Sequence, residues 1–96
     1  MEIAYGKYNF KKVALGTRGD YPKDILFKIE NKESGKSFNY IIEISDSAFE
    51  TGTDELDLNV REAVKTEGDC LVKEWLDEGK EENLQVRITT TGIETI

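Results

Sequence analysis

Two short runs in the first half of the chain alternate between apolar and polar residues on either side of a turn-rich stretch, and this pattern limits the fold more than any other feature. Ile25, Phe27 and Ile29 alternate in "DILFKIE", and Phe38, Tyr40, Ile42 and Ile44 alternate in "SFNYIIEIS". A period of two is that of a β-strand with one buried face. Between the runs lies "NKESGK", where Gly35 can take the positive φ that hairpin loops require. With Lys32 to Gly35 as the loop, Asn31 faces Lys36, and Ile29, Phe27 and Ile25 face Phe38, Tyr40 and Ile42. All three pairs are then apolar on one side. A slip of one residue would set the whole stripe against polar positions. The same register places Leu26 beside Ile41 on the opposite face.

A further strand is expected at "LQVRITT", where Leu84, Val86 and Ile88 alternate with polar residues. Upstream, "NFKKVALGT" reads as a strand whose continuous Val13, Ala14 and Leu15 imply partial burial on both sides. "EIAYGKY" can pair with it through a turn near Gly6. Strand character ends near Leu15 and resumes at Asp24. The adhesion-type tripeptide Arg18-Gly19-Asp20 therefore falls among Gly16, Gly19, Asp20 and Pro22, and reads as the tip of a turn.

The acidic stretch that follows is expected to be helical. Ser47 and Glu50 have capping-box spacing, and "TGTDELDLNVREAVKTEGDCLVKEWLDEGK" reads as the main helix, with Thr53 as cap, Asp54 and Glu55 in the first turn and Gly79 at the end. Asp57 with Arg61 and Asp69 with Lys73 stand four apart, the spacing of helical ion pairs. Leu56, Val60, Ala63, Val64, Leu71 and Trp75 fall on one helical face. Glu67 lies within that face and Gly68 follows it. Either a continuous helix buries the carboxylate, or the helix breaks at Gly68 and Asp69 caps a second segment carrying Leu71, Val72, Trp75 and Leu76. Burying an unpaired carboxylate costs several kcal/mol, against roughly 1 kcal/mol for a glycine interruption, so the break is preferred. Glu67 is nevertheless the candidate buried acid, the one residue with a catalytic flavour.

These elements predict one α+β domain over residues 1–96: a two-layer fold in which an antiparallel sheet of four to five strands carries one long helix, continuous or broken at Gly68, on one face, in the order β-β-β-β-α-β. Ninety-six residues suit one core.

Composition excludes several kinds of chemistry. The chain has no histidine and one cysteine, Cys70, so His-based triads, His metal sites, paired-cysteine sites and internal disulfides are impossible. Cys70 reads as a partly buried helix residue. "DSAFETGTDELD" is rich in carboxylates but lacks the EF-hand spacing, and no phosphate-binding glycine motif occurs. No catalytic constellation, metal or cofactor is expected. The N-terminal residues lack a secretory pattern and no run is long and apolar enough for a membrane span, which points to a cytoplasmic protein.

Net charge is −7 and uneven: residues 1–42 carry eight Lys or Arg against five Asp or Glu, whereas residues 43–82 carry four against fourteen. That balance weighs against direct nucleic-acid binding. The expected function is a non-enzymatic interaction module that docks a protein partner, in the simplest form itself as a homodimer, through an open sheet face bearing Leu26 and Ile41, joined by Val13 or Leu15. The alternative is an acidic, phage-type inhibitor whose 43–82 segment occupies a basic nucleic-acid-binding groove.

Overall fold

A computed structural model describes residues 2–18 and 21–96, with the side chains of residues 17, 18 and 21–23 left aside. Six strands form one sheet in sequential order: β1 (Glu2–Tyr5), β2 (Tyr8–Arg18), β3 (Tyr21–Asn31), β4 (Ser37–Ile44), β5 (Leu84–Thr89) and β6 (Gly92–Thr95). The β3–β4 register is the one read from the sequence, with Ile25, Phe27 and Ile29 opposite Ile42, Tyr40 and Phe38, and Leu26 opposite Ile41. Asn31 closes the hairpin: its N–H donates to the Lys36 carbonyl at 2.8 Å, and its side-chain oxygen accepts from the N–H groups of Glu33 and Ser34. The "EIAYGKY" hairpin also forms, turning at Gly6 with φ +58°.

Three expectations about the sheet are corrected. The sheet is mixed, because β4 and β5 run parallel; the helical segment between them returns the chain to the same end of the sheet, as a parallel connection requires. A sixth strand, Gly92–Thr95, pairs with β5. β2 and β3 extend past Leu15 and before Asp24, so that Arg18 pairs with Tyr21. Gly19 and Asp20, the second and third residues of the adhesion-type tripeptide, lie outside the described residues, and the expected turn tip with them. At 11 residues each, β2 and β3 make a long hairpin in a domain measuring 41 × 25 × 22 Å.

The expected long helix is three short ones, α1 (Asp46–Thr51), α2 (Leu58–Lys65) and α3 (Asp69–Asp77), with a 3-10 turn at Thr53–Glu55. Ser45, not Ser47, caps α1, accepting from the Ala48 N–H at 3.2 Å. Asp57, not Thr53, caps α2, accepting from the Asn59 N–H at 3.0 Å. Arg61 donates instead to the carbonyls of Asp54 and Leu56. Every residue assigned to the apolar helical face is buried: Leu56, Val60, Ala63, Val64, Leu71 and Trp75. Val72 and Leu76 join them. All pack on the sheet face carrying Phe10, Ile25, Phe27, Ile29, Phe38, Tyr40, Ile42, Val86 and Ile88. Trp75 stands edge-on to Tyr40 with ring centroids 5.1 Å apart, a favoured aromatic geometry.

The break falls at Glu67–Gly68. The Gly68 N–H donates to the Ala63 carbonyl at 2.9 Å and the Glu67 N–H to the Val64 carbonyl at 3.2 Å, the paired bonds of a Schellman closure. Both residues have positive φ, +51° and +87°. The Gly68 carbonyl then accepts from Leu71 and Val72, starting α3. Asp69 is not its cap; the Thr66 hydroxyl accepts the Cys70 N–H at 3.4 Å. Gly68 also lies directly on the sheet, where an added Cβ would stand 2.5 Å from Ile42 Cδ1. Glycine is needed here for conformation and for space.

The segment after α3 is fastened to the N-terminal strands by polar contacts. Tyr5 donates to Asp77 at 2.9 Å, and Tyr8 donates to Glu81 at 2.9 Å. Asn31, buried at 4% exposure, donates to the same Glu81 carboxylate, and the Tyr40 hydroxyl donates to the Lys80 carbonyl. The bonds from Tyr8 and Asn31 hold the Glu81 pKa below the usual glutamate value, with Tyr8 the larger cause. Burial, followed by the Glu81 bond, raises that of Tyr8.

Gly68→Ala is expected to cost about 2–4 kcal/mol in urea unfolding, combining left-handed strain with the clash at Ile42. Ile42→Val removes the clashing Cδ1 at a cost of ~0.5–1.5 kcal/mol alone, so the double variant should be more stable than the sum of the single costs implies. Glu81 supplies a pH test. Its folded-state pKa is depressed, so its contribution is present above the unfolded value and is lost as pH falls through the folded value. Glu81→Gln should therefore reduce the loss of urea-midpoint stability between pH 7 and pH 3.

Candidate interaction surface

Alternation along the strands sends every second side chain of the sheet away from the helices, and cross-strand pairing arranges these in rows. The central row is Val13–Leu26–Ile41, continued by Gln85 on β5. Each of the three apolar residues is half-buried. On one side lies the row Glu2–Lys11–Lys28–Asn39. On the other lies Leu15–Asp24–Glu43–Arg87–Glu94. The expected patch of Leu26, Ile41, Val13 and Leu15 is thus contiguous, with Leu15 41% exposed.

Sequence reasoning missed Ile96, which is 56% exposed and joins Ile41, Asn39 and Gln85 around a shallow groove. Its N–H donates to the Gln85 carbonyl, carrying the alternation one residue past β6. It also missed the charged rows, although Asp24 and Lys28 stand two residues either side of Leu26 and so share its face. Glu43 and Arg87 form an ion pair at 3.1 Å. Among the described residues, Asp24 Oδ1 is buried without a hydrogen-bond partner. Asp24 also sits opposite Glu43, a like-charge pairing that disfavours the isolated sheet.

The candidate buried acid lies on the other side of the domain. Glu67 is 43% exposed in its side chain and pairs with Lys12 Nζ at 3.0 Å. Asp69 takes the same ammonium at 3.2 Å, so the expected Asp69 capping role is replaced by a sheet-to-helix tie. Glu67 occupies the left-handed position of the helix closure, a site usually held by glycine. Glu67 lines a surface groove with Lys12, Thr66, Asp69, Cys70 and Lys73. Cys70 is half-buried beside the core. Among the described residues no group of three or more acids or cysteines is placed to hold a metal ion, and no helix is long and apolar enough to cross a membrane.

The fold and this face together define a small α+β domain with a mixed six-stranded sheet, helices on one side and a patterned open surface on the other. No family model, curated protein or solved structure matches the chain.

Glu67→Gln and Glu67→Gly both remove the charge, but only glycine relieves the positive φ. The glycine variant is expected to be the more stable of the two by about 0.5–1 kcal/mol in chemical denaturation. A helix running unbroken through residue 67 would give the opposite order.

Proposed function

We propose that the chain is a non-enzymatic interaction module that self-associates through the open sheet face. The observation that carries this reading is the Val13–Leu26–Ile41 row, three large apolar side chains in one line on a face that no helix covers, extended by the exposed Leu15 and Ile96. Contiguous apolar surface of this kind marks docking surfaces. Two facing copies are the simplest way to cover it, because a two-fold contact uses the same patch twice.

The acidic-inhibitor reading has less support. Asp57 caps α2, Glu67 and Asp69 bind Lys12, Asp77 binds Tyr5, and Glu81 binds Tyr8 and Asn31. These carboxylates hold the fold together. The exposed remainder, including Glu50, Glu62 and Glu74, is what solvated helices carry.

Replacing Leu26 and Ile41 together with Lys is expected to convert a dimer to a monomer in sedimentation while keeping the far-UV spectrum and a cooperative thermal transition, lowered only by the lost linkage to association, since the buried stripe on the other face is untouched. A wild-type chain that sediments as a monomer at high concentration would refute the reading.

A further inference from the structure

The two charged rows flanking the apolar row decide how two copies would meet. This inference rests on self-association through the open face and specifies its symmetry. On one side of Val13–Leu26–Ile41 stand Lys11 and Lys28, with Glu2 at the end of their row; on the other stand Asp24 and the Glu43–Arg87 pair, with Glu94 beyond it. A face-to-face dimer can place its two-fold axis along the strands or along the rows. With the axis along the strands each row meets itself, so that Lys28 opposes the partner's Lys28 and Asp24 opposes the partner's Asp24. With the axis along the rows each strand lies over its own copy in the opposite direction, and the two charged rows exchange places. Lys28 then faces the partner's Asp24, Asn39 faces the partner's Glu43, and Lys11 lies over the partner's Leu15.

We propose that two copies of the chain pack face to face about a two-fold axis along the Val13–Leu26–Ile41 row, with Lys28 of each copy on Asp24 of the other. The like-charge alternative juxtaposes ammonium with ammonium and carboxylate with carboxylate in a desolvated interface, which is strongly disfavoured. The chosen axis instead brings each Lys28 ammonium to the Asp24 carboxylate of the other copy, opposite charges on the two rows either side of the apolar one. The dimensions agree. Facing sheets lie ~10 Å apart, a gap that an extended lysine and an aspartate span from opposite sides. The ~30° crossing of aligned sheets moves a residue two positions from the axis sideways by roughly 3–4 Å, within the swing of a lysine side chain. Five strands about 4.8 Å apart and four rows about 6.8 Å apart give a face on the order of 500 Å² in plan, comparable with one side of a small stable interface once side-chain relief is added.

The test is a charge exchange, read by analytical ultracentrifugation and native mass spectrometry, with thermal melts confirming folding. Lys28→Asp and Asp24→Lys are each expected to weaken self-association about ten-fold or more, by setting like charges together at two symmetric positions. The double variant K28D/D24K should regain wild-type association, and an equimolar mixture of the two single variants should form the mixed dimer in preference to either homodimer. Should either single variant fail to fold, Lys28→Gln and Asp24→Asn replace it, with weaker dimers that lose the wild-type salt dependence as the expected result. Single variants that dimerise like wild type, or a double variant as weak as the singles, would overturn this axis. If Leu26→Lys with Ile41→Lys still abolishes the dimer in that case, the open-face reading survives. A monomeric wild type removes both.

Discussion

The contact of Gly68 with Ile42 is the constraint on which the helical layer depends. The chain must place two apolar helix faces on one sheet, and it does so by turning between them at a point pressed against the sheet itself. A Cβ at residue 68 would stand 2.5 Å from Ile42 Cδ1, so that either the turn or the Ile42 side chain would have to shift. The Schellman closure before the turn and the Gly68 carbonyl after it keep the backbone polar groups paired through the break, so a change of direction next to the core leaves no donor stranded. The turn also places Glu67 and Asp69 together on Lys12, joining the break to β2.

Once the helices are seated, the acidic segment serves as a set of polar fastenings. Tyr5, Tyr8 and Asn31 on the N-terminal strands meet Asp77 and Glu81 near the end of the helical layer, and Tyr40 meets the Lys80 carbonyl between them. Tyr8 and Tyr40 keep their rings in the core and put their hydroxyls at its margin, where burial and the neighbouring carboxylates resist ionisation. Several negative charges of residues 43–82 therefore have a structural role on the helical side. The open side carries Lys11, Lys28 and Arg87 against Glu2, Asp24, Glu30, Glu43 and Glu94, ordered in rows.

Much of this was legible in the chain, and the reasons are local. The β3–β4 register followed from alternation alone, because a one-residue slip would have inverted every side chain from Ile25 to Ile42. The break at Gly68 followed from a carboxylate set in an apolar helical face. The row Leu26–Ile41 came with the register, and Val13 joined it as expected. The helix caps were misplaced because several Ser, Thr and Asp residues in "SDSAFETGTDELD" are equivalent candidates by propensity, and the seating of α1 and α2 on the sheet selected Ser45 and Asp57. The strand ends near the long hairpin were set too short because Gly16 and Pro22 carry turn propensity, which pairing with a neighbouring strand overrode.

The order of the chain determined the hairpins, the buried stripe and the interruption of the helix, since each depends on residues a few positions apart and on the fixed periods of strand and helix. The parallel pairing of β4 with β5, the arrival of Ile96 beside Ile41 and the placement of Arg87 against Glu43 were decided by tertiary structure. Contacts between residues some 40 or more positions apart leave no periodic trace in sequence. The direction of β5 depends on which end of the sheet the helical layer delivers the chain to, a consequence of how α2 and α3 pack.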